Sequence, residues 1–267
     1  MMPRFPDCFP AANTEGLVYP AEYENFEWTT SFFSGMLWLL YEHTGDPVYR
    51  PILQKHLESF YERVEAPGSL DTHDLGFLYS LSCYPAVLLQ KDPRAEACFL
   101  KAAQALRSRY FPQAGIIQAW GVYGFALSYR HTGDRSFLDT SCKLLDYYLE
   151  RLPEDGVCYW DLHFTQGSEP RDSSAAAIVC CGILELLKHL PLTHPRRMAY
   201  EAALNRTILA LAKGYTTWNL PQADGLLLHG VYSKPDNRGV DECTIWGDYY
   251  YIEALFRLLY GSCDYWY

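Results

Sequence analysis

The sequence predicts a nearly all-α fold, and three observations carry that expectation. Apolar residues recur at helical spacing through most of the 267 residues. The segments are punctuated by Gly, Pro and Asp rather than by period-two strands. One helix-turn-helix pattern also occurs twice, as LLYEHTGDPVYR at Leu39 to Arg50 and as LSYRHTGDRSFL at Leu127 to Leu138. In these copies Gly45 and Gly133 suit the left-handed position after a helix, and Asp46 and Asp134 suit the N-cap of the next one. Repeated hairpins of about 40 residues close into an α/α toroid or stack into an open solenoid, and the pattern alone leaves both arrangements open. A single domain over residues 1–267 is expected.

Nine helices follow in order. Ser31 to His43 ends at the first Thr-Gly-Asp turn, whose Asp46 opens Val48 to Val64. His73 and Asp74 stand where Asp74 to Leu89 begins, and Arg94 to Arg109 comes next. Gln118 to His131 ends at the second Thr-Gly-Asp turn, whose Asp134 opens Arg135 to Leu152. Asp172, Ser173 and Ser174 are capping residues of the Ala-rich helix Ser173 to Leu190. Arg196 to Thr216 and Trp246 to Tyr260 complete the set. Between the last two lies Thr217 to Asp241, rich in Gly, Pro and Asn, a long loop of the kind that carries binding residues on helical scaffolds.

Composition narrows the function. With 49% hydrophobic and 20% charged residues, the chain has enough apolar material for a sizeable core. The 22 Tyr, 13 Phe and 7 Trp are an aromatic excess that suits a groove for sugars or other flat ligands, and equally a tyrosine-rich core. A net charge of −10 leaves no basic field for a nucleic-acid backbone, so nucleic acid is excluded as a partner and an acidic ligand would need local Arg or Lys. The nine Cys are scattered without a C-x-x-C pair or a Cys/His metal spacing, as expected of buried thiols in a reducing compartment. No apolar run approaches the roughly 18 residues that cross a bilayer, and the N-terminus has no apolar leader. A cytoplasmic protein without membrane contact is expected. No G-x-S-x-G, Walker loop, dinucleotide fingerprint or H-E-x-x-H motif is present, so no cofactor and no metal are implied.

Longer motifs point to a family. In chain order they are NFEWTTSFFSGMLWLLYE (Asn25 to Glu42), DTHDLGFLY (Asp71 to Tyr79), QAWGVYGFALSYRHTGD (Gln118 to Asp134), LPEDGVCYWD (Leu152 to Asp161), RDSSAAAI (Arg171 to Ile178), HGVYS (His229 to Ser233) and GVDECTIWGDYYYIEAL (Gly239 to Leu255). Together they resemble the unsaturated glucuronyl hydrolases, glycoside hydrolase family 88, over nearly the whole chain. The resemblance implies an (α/α)6 barrel that removes a 4,5-unsaturated uronic acid from oligosaccharides left by polysaccharide lyases, here of the glycosaminoglycan type. THDLGF and RDSSAAA favour this branch over the related unsaturated rhamnogalacturonyl hydrolases.

One departure stands out. In the family a G-V-I-Q-x-W stretch precedes a middle segment with the catalytic aspartate in I-D-x-M-M-N, then H-Q-G and R-G-Q-A-W-G. Here Gly115-Ile116-Ile117-Gln118 runs directly into Ala119-Trp120-Gly121. The expectation is a toroid shortened by about one hairpin, with its junction near residues 115–121 and with apolar surface beside it that favours a homodimer.

The implied reaction is hydration of an enol ether. An acid protonates C4, positive charge develops at C5 and the ring oxygen, water adds at C5, and the hemiketal opens to expel the sugar. By motif match Asp74 is the second active-site carboxyl, while the principal aspartate has no counterpart. Residue types alone would make Asp74 an N-cap. Trp28 and Phe32 match the family's apolar wall, His73 and Gln118 match substrate-binding positions, and Trp120 matches a sugar-stacking one. The Arg that faces the uronate carboxylate is lost with the missing segment. Some members bind a sulfate through Ser-x-x-Ser-x-Lys after H-G-V-Y; here Ser233 and Arg238 persist in that register and Asp236 replaces the second Ser. Asp161, Asp241, Glu242 and Asp248 are assigned no catalytic role. A non-catalytic oligosaccharide binder or a defective remnant is the alternative reading.

Overall fold

The computed structural model describes residues 4–72, 74–107 and 119–266. Among them are ten α-helices and two short antiparallel strand pairs. No helix among the described residues is long and apolar enough to cross a membrane. By its contacts the chain divides into two compact units, one made of Met1–Ala12, Tyr19–Ala114 and Cys263–Tyr267, the other of Asn13–Val18 and Gly115–Ser262. The expected junction near residues 115–121 lies partly outside the described residues, which resume at Ala119.

In the first unit β1 (Phe9–Pro10) pairs with β2 (Ala21–Glu22), and five helices follow: α1 (Thr30–Thr44), α2 (Arg50–Glu65), α3 (Leu75–Ser82), α4 (Tyr84–Gln90) and α5 (Pro93–Arg107). Helix α1 packs on α2 and α3, and α5 covers α2 and α3. Phe32, Phe33, Trp38, Phe60 and Tyr79 fill the core between them, and the indole N–H of Trp38 donates to the Ser82 carbonyl at 3.0 Å. The single helix expected over Asp74 to Leu89 is in fact two. Pro85 sits in the first turn of α4, and a proline has no N–H for the carbonyl four residues back, so the helical ladder breaks at Cys83.

The second unit holds α6 (Ala119–Thr132), α7 (Arg135–Arg151), α8 (Ser173–His189), α9 (Arg197–Gly214), β3 (Gly230–Ser233), β4 (Arg238–Glu242) and α10 (Ile245–Tyr260). Helix α8 is its axis and packs on α6, α9 and α10. Gly182 makes the approach of α6 possible, since a Cβ there would lie 2.9 Å from Val122 Cγ1 and 3.1 Å from the Tyr123 nitrogen. Three buried charges meet inside this unit. Arg257 donates from Nη1 to Glu185 Oε2 at 2.8 Å and from Nε to Glu253 Oε1 at 2.7 Å, and Tyr123 bonds both Arg257 and Glu253. Burial pushes the Glu185 carboxyl up, but Arg257 and Lys188 outweigh it and hold the group below the usual carboxylate range.

The repeated turn is the same structure twice, once in each unit. Gly45 and Gly133 have φ of 66° and 70°, and their N–H groups reach Tyr41 and Tyr129 carbonyls at 2.8 Å. Thr44 and Thr132 hydroxyls donate to Leu40 and Ser128 carbonyls, both at 2.7 Å. Asp46 and Asp134 accept from the N–H two residues on, both at 2.9 Å. The expected loop Thr217 to Asp241 is more ordered than its composition implies. It contains β3 and most of β4, paired with Val231 opposite Val240 and Ser233 opposite Arg238. Five- and four-residue strands around a Pro-Asp-Asn turn are too short to show period-two alternation.

Candidate active site

The first unit gathers the N-terminal part of the expected site. Trp28 lies in the turn before α1 and Phe32 in its first turn; their rings meet edge to face at 5.9 Å between centroids. Phe77, from α3, stands 5.9 Å from Trp28 and 5.8 Å from Phe32, and Trp266 meets Phe77 at 6.1 Å. Phe32 is fully buried, whereas Trp28 and Phe77 are half-buried, so the indole and the Phe77 ring both present some surface. Phe77 belongs to the same motif as Asp74, but one sequence offers no sign that it reaches across to α1.

Asp74 occupies the N-cap position of α3 without capping it by its side chain. Its Oδ2 accepts instead from the Thr72 hydroxyl at 3.0 Å, and that hydroxyl accepts the Asp74 N–H at 3.2 Å. The N-cap reading therefore holds for its position and fails for its carboxylate. His73 lies outside the described residues.

The polar organiser of this region is a residue that sequence reasoning missed. Arg63, in the last turn of α2, is buried and makes no ion pair among the described residues. Its Nη1 donates to Asn25 Oδ1 and the Glu27 carbonyl, both at 2.9 Å, and reaches Thr30 Oγ1 at 3.4 Å; its Nη2 donates to the Phe26 carbonyl at 2.9 Å. Asn25 Oδ1 also accepts from the Thr30 hydroxyl at 2.6 Å. This explains why the motif around Trp28 carries Asn25 and Thr30. Burial holds the Arg63 guanidinium below its usual range, opposed by the charges of Tyr79, Glu27 and Asp74. The same guanidinium thus holds the Trp28 turn by hydrogen bonds and lies within Coulombic reach of Asp74.

In the second unit Trp120 stands in the first turn of α6, and its side chain lies outside the described residues, as does Gln118. Ser233 and Arg238 face each other across the β3–β4 pair. The Ser233 hydroxyl donates to Asp236 at 2.5 Å, and the Arg238 guanidinium lies 4.2 Å over the Tyr232 ring. The other carboxylates have structural work. Asp172 caps α8, accepting from the N–H groups of Ser174 and Ala175 at 3.0 and 3.3 Å and from the Ser174 hydroxyl at 2.6 Å. Asp248 accepts the N–H groups of Leu226 and Leu227, both at 2.9 Å, and Glu242 ties down Thr14, Gly16 and Leu17. Asp161 accepts the His163 N–H at 2.8 Å, and Asp241 pairs with His229. Among the described residues no three His, Cys, Asp or Glu side chains cluster to hold a metal ion.

No family model matches the chain. It is, however, 34% identical to the unsaturated chondroitin disaccharide hydrolase of Streptococcus pyogenes serotype M1, over 99% of this chain and 89% of that enzyme. The chain belongs to the unsaturated glucuronyl hydrolases. It is likewise 32% identical to the unsaturated glucuronyl hydrolase of Bacillus sp. strain GL1, over 99% of this chain and 94% of the relative. Solved structures agree. A variant of the Streptococcus agalactiae unsaturated glucuronyl hydrolase complexed with dGlcA-GalNAc6S superposes with a TM-score of 0.92 at 34% identity, over 99% of this chain and 89% of that one. The Bacillus sp. GL1 enzyme, described as responsible for the degradation of glycosaminoglycan, gives 0.91 at 31% identity over 100% and 95%. The all-α fold is therefore that of these hydrolases. The omission is equally visible: the alignment with the S. pyogenes enzyme runs over 356 positions and this chain has 267 residues, so at least 89 of those positions (356 less 267) have no residue of this chain opposite them.

Proposed function

We propose that this chain binds the 4,5-unsaturated uronide end of glycosaminoglycan-derived oligosaccharides and hydrates it slowly, with Asp74 as the acid. The observation that carries the reading is the aromatic wall at the starts of α1 and α3, where Trp28, Phe32 and Phe77 meet with ring centroids 5.8 to 5.9 Å apart beside the motif that holds Asp74. Trp28, backed by Phe32 and Phe77, forms the apolar wall against the sugar ring. His73, Gln118 and Trp120 keep the substrate-binding roles that the resemblance implies. A proton from Asp74 goes to C4, water adds at C5, and the resulting hemiketal opens with loss of the sugar. General acid–base help is worth about 10² to 10⁴ in rate, and the family's principal aspartate is missing, so turnover should fall below that of full-length relatives by about that factor.

Arg238 gives the β3–β4 hairpin a cation for an anionic group on the second sugar. Asp236 opposes it by taking the Ser233 hydroxyl, which favours unsulfated over sulfated substrates. All nine cysteines are free thiols, which supports a reducing, cytoplasmic setting. Exposed apolar side chains, Leu100 of α5 among them, support self-association as a homodimer.

The test is loss of the conjugated double bond's ultraviolet absorbance on incubation with unsaturated chondroitin disaccharide. Slow turnover that Asp74→Asn abolishes supports the enzyme. Saturable binding with no turnover selects the non-catalytic binder, and no binding by calorimetry rejects both.

A further inference from the structure

We infer that Arg63 is a positioning residue for the substrate wall, acting through Trp28. The inference rests on the reading of Trp28 as substrate-facing. Trp28 sits in a turn with no regular backbone ladder to hold it, between β2 and the first residue of α1. Three of the groups that fix this turn, the Phe26 and Glu27 carbonyls and Asn25 Oδ1, converge on the two terminal nitrogens of one guanidinium, each at 2.9 Å. Arg63 comes from α2, which is packed into the core through Leu57, Phe60 and Val64, so the fork is anchored to a rigid element rather than to the turn itself.

The chemistry requires arginine. A planar fork can serve two carbonyls and an amide at once, whereas a lysine ammonium at the same place is a compact charge on a flexible stem and cannot span them. The usual use of a buried arginine is to neutralise a carboxylate, and here no carboxylate among the described residues bonds it. Its hydrogen bonds go to two backbone carbonyls and to the Asn25 and Thr30 side chains, and its charge is left to act on Glu27 and Asp74. The arrangement sets the height and tilt of Trp28 against Phe32 and Phe77, which is what a stacking wall needs.

The experiment compares Arg63→Lys, Trp28→Ala and the double variant in the full chain. Two readouts are taken: binding of unsaturated chondroitin disaccharide by calorimetry, and amide hydrogen exchange over residues 25–30 without ligand. Arg63→Lys should speed exchange in that segment while leaving α3 and α5 protected, and should weaken binding about tenfold, the factor that corresponds to 1.4 kcal/mol. In the Trp28→Ala background the same change should weaken binding by less than about twofold, because a residue that acts only through another has nothing left to position. Unchanged exchange over residues 25–30 would overturn the clamp. An equal loss of binding in both backgrounds would show that Arg63 acts by its own route. If Trp28→Ala leaves binding untouched, the site reading fails, and the exchange readout still decides whether Arg63 holds the turn.

Discussion

Each unit buries an arginine, and the two are used in opposite ways. Arg257 in the second unit lies between Glu185 and Glu253 with Tyr123 closing the ring, so its charge and its donors are absorbed within the core. Arg63 in the first unit donates to two carbonyls and the Asn25 amide oxygen, and no carboxylate among the described residues is bonded to it. A cation enclosed by two carboxylates holds helices α8 and α10 together and projects little field. A cation ligated by neutral oxygens costs more to bury and keeps a field that reaches Asp74. The difference separates a buried charge that is fully paired and ties helices together from one whose donors hold a turn.

The sharpest way to break that contrast is to remove Arg257. Arg257→Met should cost about 3–5 kcal/mol in urea unfolding, because Glu185 and Glu253 would be left buried without their cation. A loss under about 1 kcal/mol would mean that the network is dispensable to the fold.

A second contrast is acid sensitivity in the first unit. His56 is buried against Phe9 and Phe33, with Nδ1 bonded to the Ser34 hydroxyl at 2.9 Å, and burial pushes its pKa from 6.5 down to about 4. Between those values the unfolded chain binds the proton and the folded chain does not. Stability is therefore intact above pH 6.5 and falls as the pH drops toward 4, by up to about 3 kcal/mol. His56→Gln should flatten this dependence in thermal unfolding recorded across the range, and an unchanged slope would assign the acid loss elsewhere.

The smallest effects separate two aspartates at the same helix position. Asp172→Ala should cost about 2 kcal/mol, since three donors around a half-buried cap lose their acceptor. Asp172→Asn should cost less than half of that: burial already raises the Asp172 pKa against its hydrogen bonds, so removing the charge offsets part of the lost bonding. Asp74→Asn, by contrast, should cost less than Asp172→Ala, because the Asp74 side chain makes no capping hydrogen bond to α3. An equal cost at the two positions would return Asp74 to the status of an ordinary cap.

By itself the sequence determined most of the helices to within a few residues, the Gly and Asp roles in both Thr-Gly-Asp turns, and the capping role of Asp172. It determined the family too, through motifs that run in order along the chain. All of these depend on partners within about four residues, where backbone geometry leaves few choices. Even the break between α3 and α4 was legible in Pro85, had its missing N–H been weighed against the apolar periodicity. Tertiary structure alone decided the rest. The short strands β3 and β4 exist because they pair with each other. That Arg63 clamps the Trp28 turn could not be read at all, since its acceptors lie 36 to 38 residues away and two of them are backbone carbonyls, which carry no trace in the residue type. A side chain's local bonds are encoded beside it, but the use of a buried charge is set by whatever the fold brings against it.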